Sequence, residues 1–247
     1  MPKVELTWLG QSFFRILSPK GKIILIDPWK DFPPGNKLFP ADFETGEPDL
    51  VLVTHGHFDH LGDAARIAKK SKNKPNFKII SIFEIMIYLM SEGVPQEKLQ
   101  GLNKGGSVVL EGITVSMVNA VHSSGIGPFA PKNLANGGEA AGFVVTLEDG
   151  TKIYHAGDTD VFSDMNLIKE MHSPEIALLP IGGVFTMGPK EAAYAAKMLG
   201  AKIVIPMHFG GTFGLPGTPE DFQKEISRLM DKPPMVIISK AGEKIEI

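Results

Sequence analysis

Residues 51–63 read VLVTHGHFDHLGD, which places three of the chain's seven histidines within six consecutive positions. The segment in front of them, Leu50–Thr54, is apolar up to its last residue and reads as a strand buried on both faces. In extended chain, residues two apart point the same way, so His55 and His57 offer their imidazoles to one point in space. Gly56 between them permits a close approach. After Phe58 the chain is expected to turn into a helix whose first turn aims Asp59 and His60 at a second point. Two neighbouring points of this kind suit two metal ions about 3.5–4 Å apart, the spacing used to clamp a hydrolytic transition state. The plain alternative is a set of solvated turn histidines, with Asp59 capping the helix. Packing alone, however, gives no reason for four such groups directly behind a buried strand.

Composition then narrows the chemistry. The chain has no cysteine, which excludes disulfides, thiolate nucleophiles, iron–sulfur clusters and thiolate-held zinc, so any metal is held by His, Asp or Glu. A net charge of -3 gives no overall attraction to polyanions, so nucleic acid is not an expected partner and a small-molecule substrate is. The opening MPKVELTWLGQSFF lacks a charged-then-apolar leader pattern. The most apolar segment, Ile79 to Met90, is too short to span a bilayer and carries Glu84. A cytoplasmic protein without a membrane span is therefore expected, and a homo-oligomer is left open. With 43% hydrophobic residues, 247 residues suit a sizeable core, and no solenoid repeat or low-complexity linker divides them. A single domain over residues 1–247 is the expectation.

The pattern of elements predicts an α/β class. Short strands over Val4–Leu9, Phe13–Leu17 and Lys22–Asp27 form a meander, and a Pro/Gly-rich loop, Asp31 to Pro48, leads to the strand Leu50–Thr54. A helix is predicted from Asp59 to Lys70, then strand Lys78–Ser81, helix Phe83–Ser91 and strands Ser107–Leu110 and Ile113–Asn119. The second half repeats the progression, with strands Phe143–Leu147, Lys152–His155, Ile176–Ile181 and Ile203–Met207. Among and after them come helices Met165–Met171, Pro189–Leu199 and Pro219–Met230, then strands Met235–Ile238 and Lys244–Ile247. Two β-then-α halves suggest two sheets face to face with helices outside.

The segment Thr54-His-Gly-His-Phe-Asp-His60 resembles the signature of the metallo-β-lactamase fold superfamily. The resemblance spans residues 5 to 208 and implies a four-layer αββα sandwich. It also implies later ligands at strand ends: His122 in NAVHSSG, Asp158 in IYHAGDT and His208 in VIPMHF. By that resemblance His55, His57 and His122 hold one metal, Asp59, His60 and His208 hold the other, and Asp158 bridges them. Asp27, closing the run KIILID, resembles the family's early aspartate, which orients a metal-binding histidine. His172, in a predicted helix before Ser-Pro, is left as a surface residue. His155 is open between support of the site and burial against the sheet.

Relatives that reduce oxygen at a di-iron centre carry a carboxylate where this chain has His57, so the hydrolases are the better match. The segments LTWLGQSF and LIDP look most like small bacterial and archaeal metal-dependent hydrolases. These are related to ascorbate-6-phosphate lactonase and to a phospholipase D acting on N-acyl ethanolamine lipids. The implied function is hydrolysis of a small ester, lactone or phosphodiester by a hydroxide bridging two divalent ions, with Asp59 both binding metal and orienting the nucleophile. Zinc is expected first; manganese, nickel and iron suit the same His/Asp donors. The alternatives are a mononuclear iron persulfide dioxygenase and a metal-dependent nuclease. Phe185 and Phe213, each in a Gly-rich loop, are candidate apolar pocket walls, and Ser123–Gly142 is expected to be a substrate-shaping loop. The basic run Lys69–Lys78 reads as a solvated helix end.

Overall fold

The computed structural model describes residues 3–71, 73–128 and 132–247. The first sheet is built from β1 (Glu5–Trp8), β2 (Phe14–Leu17), β3 (Ile23–Ile26), β4 (Leu50–Leu52), β5 (Lys78–Ile82) and β6 (Leu99–Leu102). The chain then crosses to a second sheet with β7 (Ser107–Leu110) and β8 (Ile113–Asn119), and forms a two-stranded ribbon, β9 (Gly125–Ile126) and β10 (Ala135–Asn136). The second sheet continues with β11 (Ala141–Thr146), β12 (Lys152–His155), β13 (Ile176–Pro180), β14 (Ile203–Met207) and β15 (Met235–Val236). The last strand, β16 (Lys244–Glu246), returns to the first sheet. The orders are β16-β1-β2-β3-β4-β5-β6 and β15-β14-β13-β12-β11-β8-β7.

The meander predicted at the start is present, with β1, β2 and β3 antiparallel and Leu6 opposite Ile16. From β3 to β6 the pairing is parallel, as it is from β12 to β15. Helices α1 (Phe58–Leu61), α2 (Ala64–Lys70) and α3 (Phe83–Ser91) connect strands of the first sheet; α4 (Met165–His172), α5 (Pro189–Leu199) and α6 (Pro219–Leu229) belong to the second. α2 and α3 pack on β5, α5 packs on β13, and α4 and α6 flank α5. Two mixed sheets with helices on their outer sides make an α/β sandwich. One buried apolar cluster joins both sheets, with Phe14, Ile16, Ile24 and Ile26 from one and Met117, Phe143, Val145 and Tyr154 from the other. Among the described residues no helix is long and apolar enough to cross a membrane.

The sequence pattern differs from the structure in instructive places. β7 and β8, read with the first half, extend the second sheet: β8 pairs with β11 over Thr114–Asn119. A hairpin's alternation tells which residues face inward but not which sheet it joins. β6 carries Gly101 in LQGL and has too little β-branched character to stand out.

The helix predicted over 59–70 is two helices, because Gly62 turns the chain with φ +36°. At Gly62 a side chain is excluded outright, since a Cβ there would lie 2.4 Å from the Pro28 carbonyl oxygen. Asp63 fastens the same loop: its amide donates to Pro28 O at 2.8 Å, and its Oδ2 accepts from the amides of Lys30 and Asp31 at 2.7 and 2.9 Å. Gly62→Ala is expected to lower the unfolding free energy by about 2 kcal/mol, measured by urea denaturation. An unchanged midpoint would mean that the loop after β3 gives way freely.

Candidate metal centre

The clustered residues sit just past the C-terminal ends of strands that run the same way. Asp27 follows β3, and His55 and His57 follow β4, parallel to it. In the second sheet β8 and β12 both pair antiparallel with β11 and therefore share a direction, and β13 and β14 continue it. His122, Asp158 and His208 come after β8, β12 and β14. The ends of parallel strands leave the crevice between two sheets open, which is where open α/β sheets place their ligands.

The structure brings all seven sequence-predicted ligands together. His55, His57 and His122 form one group with donor atoms within 4.8 Å of one another; Asp59, His60 and His208 form another; His55, His60 and Asp158 form a third that joins them. Asp158 Oδ2 is the common point. It lies 4.0 Å from His55 Nε2, 3.3 Å from His60 Nε2, 3.6 Å from His122 Nε2 and 3.1 Å from His208 Nε2. His55, His60, Asp158 and His208 are buried, and His57 and His122 open partly to solvent.

Gly56 earns its place differently from the expected freedom of the flanking histidines. A Cβ on it would lie 2.6 Å from Ile126 Cγ1 and 3.3 Å from Ser124 O, so the segment after His122 passes directly over it. Ser124 Oγ accepts the Gly56 amide at 3.0 Å and donates to Gly137 O at 2.9 Å, tying the histidine turn to both sides of the β9–β10 ribbon.

Charge in the cluster is sharply divided. Burial, with the neighbouring His60, pushes His55 well below the ordinary histidine value, and burial pushes His57 down to about 4. Burial lowers His122 as well. These three rings are neutral at physiological pH and keep a free nitrogen lone pair. Burial would lower His60 too, but the carboxylates of Asp158, Asp59 and Asp27 outweigh it and hold the ring well above 6.5. Burial would raise Asp158, yet the imidazoles of His208 and His60 keep it ionised, well below the usual carboxylate range. His60 donates Nδ1–H to Asp27 Oδ2 at 2.7 Å, while its Nε2 is buried with no hydrogen-bond partner. His60 Nε2 lies 3.3 Å from Asp158 Oδ2, where a cation would take the place of its proton, and the neutral His and ionised Asp donors fit a divalent ion.

Asp27 has φ +51° and is wholly buried, accepting the Thr54 amide and hydroxyl at 2.8 and 2.7 Å besides His60. His155 does not face the donor cluster. It donates Nε2–H to Ser12 O at 2.9 Å and accepts the Gly157 amide on Nδ1 at 3.1 Å, so it is both buried and a support for the turn that carries Asp158. His172 ends α4 away from the centre, half-buried.

Gln11 was not foreseen. It is buried with φ +53° in the turn between β1 and β2, and its Nε2 lies 3.0 Å from Asp59 Oδ2 and 2.8 Å from His208 Nε2. Its backbone carbonyl accepts the His208 amide at 3.0 Å and the Trp8 indole at 2.8 Å. A neutral amide is no ligand signature; the one sequence signal was a polar residue after Gly10 in a strand-to-strand turn.

A cavity of about 310 Å³ opens on the cluster and is lined by His57, Asp59, His122, Asp158 and His208. Both candidate aromatic walls, Phe185 and Phe213, line it, together with Ser123, Gly125, Gly127, Pro128 and Leu134 of the loop after His122. Residues 129–131 of that loop lie outside the described residues.

Comparison with known proteins shows the family. Residues 22–209 match the family described as Beta-lactamase superfamily domain. A UPF0173 metal-dependent hydrolase of Koribacter versatilis is 45% identical over 90% of this chain and 91% of its own. One from Methanosarcina barkeri is 44% identical over the full length of both. Among solved structures, a metallo hydrolase from the archaeon Ignicoccus hospitalis superposes with a TM-score of 0.82 at 32% identity, covering 99% of this chain and 98% of that one.

Two outcomes are expected. Adding zinc to metal-free protein at neutral pH should release a proton from His60, whose raised pKa keeps it charged there, and none from His57, which is already neutral. Calorimetry in buffers of different ionisation heat measures this, and zero release would contradict the charge assignment. Gln11→Ala should weaken metal binding by the Asp59, His60 and His208 group about tenfold in a chelator competition. Unchanged affinity would remove Gln11 from the centre.

Proposed function

The chain belongs to the beta-lactamase superfamily, among its UPF0173 metal-dependent hydrolases, and we propose that it works as a dinuclear enzyme on a small ester, lactone or phosphodiester. His55, His57 and His122 hold one divalent ion, Asp59, His60 and His208 hold the second, and Asp158 spans both. The observation that carries this reading is one carboxylate oxygen, Asp158 Oδ2, within 4.0 Å of imidazole nitrogens from both groups. Zinc is the first candidate, with manganese, nickel and iron suited to the same donors.

Two ions held there supply Lewis acidity and a water that ionises near neutral pH. The protein's own residues do the rest. Asp59 lines the cavity, and its Oδ2, held by Gln11 Nε2 at 3.0 Å, is placed to accept a proton from the attacking water and to aim it. Asp27 fixes His60 with Nδ1 protonated and so turns its Nε2 toward the cluster. Phe58, Phe185 and Phe213 line the cavity beside these groups. Work in the cytoplasm on a soluble small molecule completes the reading.

Elemental analysis of gently purified protein should find close to two transition-metal ions per chain, and a chelator should abolish hydrolysis that manganese or zinc restores. Asp158→Asn should lower occupancy of both ions at once and cut kcat/KM at least about a hundredfold, whereas His172→Ala should leave metal content and rate as they are. One iron per chain with oxygen-dependent turnover of a persulfide would replace this reading with the dioxygenase. Activity confined to nucleic acid, falling steeply with salt, would replace it with a nuclease.

A further inference from the structure

The titratable side chains lining the cavity are all members of the ligand cluster: His57, Asp59, His122, Asp158 and His208. Among the described residues no lysine or arginine lines it. The one other side chain with a polar group on its wall is Ser123, whose Oγ lies 3.3 Å from His57 Nε2. Apart from Ser123, the described wall beyond the cluster is apolar side chain or backbone.

That surface is organised. Trp29, wholly buried, stacks on Phe213 with ring centres 6.0 Å apart and meets the edge of Phe58 at 5.8 Å. Phe58 and Phe213 meet edge to face at 6.0 Å, and Phe185 continues the wall outward at 6.5 Å from Phe213. The inner end of this aromatic ladder, Trp29, is wholly buried, while its outer end is bare: Phe185 is 59% exposed, and Leu134 at the mouth is 62% exposed. Large apolar side chains left open beside a reacting centre are the surface an apolar ligand covers. An anionic substituent would lose its water there and meet no cation in return.

Resting on the hydrolase reading above, we infer that the substrate is a neutral ester or lactone whose non-reacting part is a compact apolar group. That group is seated on Phe58, Phe213 and Phe185, and it carries no phosphate or carboxylate away from the scissile bond. The cavity's volume, about 310 Å³, is at the small end for ligand sites and sets the word compact. In the reaction, water oxygen bonds to the acyl carbon and the bond from that carbon to the alkoxy oxygen breaks. One water proton goes to the departing alkoxide, and the other leaves as the acid product ionises. The preference separates this chain from an enzyme for sugar phosphates or nucleotides, whose second anion needs a cation in the wall.

The test uses the full chain loaded with zinc or manganese and a matched pair, benzyl acetate and 4-carboxybenzyl acetate. kcat/KM for the neutral ester should exceed that for the anionic one by about a hundredfold. Phe185→Ala should narrow the advantage of benzyl over methyl acetate about tenfold with metal content unchanged, and Phe185→Lys should shrink the discrimination against the carboxylate. Equal or reversed preference in turnover would overturn the inference while leaving the hydrolase reading intact. Binding of the same pair, followed by NMR, separates the two ideas: silence in turnover with selective binding of the neutral ester would sink the hydrolase reading and uphold the apolar site. Indiscriminate binding, or binding of neither, would sink the apolar site.

Discussion

The Asp27 carboxylate is where the fold and the centre become one object. One oxygen takes the backbone amide of Thr54 and the other takes the Thr54 hydroxyl and the His60 ring, all within 2.8 Å. Those three donors belong to the end of β4 and the start of α1, so a residue closing β3 sets both the exit of the next strand and the tilt of a ring several residues later. The cost is visible in its backbone, a left-handed conformation that a non-glycine residue adopts at some expense. A buried carboxylate with three donors is well satisfied. The same charge keeps the proton on His60 Nδ1 and leaves Nε2 facing Asp158, so the direction of that nitrogen follows from the folding of one strand end.

Across the crevice the equivalent tie is made by backbone. Gln11 and His208 are both left-handed, at φ +53° and +55°, and the His208 amide donates to the Gln11 carbonyl. Ser12 next to it accepts from His155, which in turn accepts the amide of Gly157 beside Asp158. The β1–β2 turn of the first sheet thus grips two ligand-bearing ends of the second. Two sheets that touched through apolar side chains alone could slide by fractions of an ångström, because dispersion and burial carry no direction. Directional bonds fix the spacing of the imidazoles around Asp158.

How much of this was legible follows from how each feature is encoded. The His/Asp motif and the strand before it declare themselves, because donor residues are rare and a buried strand ends abruptly at them. His122, Asp158 and His208 are readable only through resemblance, since a lone histidine at a strand end says nothing of its neighbours across a sheet. The two-sheet architecture was visible in the rhythm of elements, but the transfer of β7 and β8 to the second sheet, and of β16 back to the first, was not. Pairing partners are set by tertiary packing, which local periodicity does not contain. The break at Gly62 was hidden for a related reason: what forbids a side chain there is Pro28, far away in sequence. Gln11 escaped because its role lies in where an amide points.

The loop after His122 shows why ligands and pocket walls are built differently here. The candidate ligands lie just past strand ends or, for Asp59 and His60, on the short helix α1 that follows β4. The walls come from connections that a ladder does not hold, and Ser124 compensates by pinning one such connection to Gly56 between two ligand histidines. The wall and the histidine turn are thereby joined through Ser124, which also donates to Gly137 O. Selectivity can then change by replacing loop side chains while the donor geometry stays as it is. A widespread fold can serve many substrates in this way: the strand ends keep the chemistry, and the loops, tied to them at a few hydrogen bonds, are free to change what is brought to it.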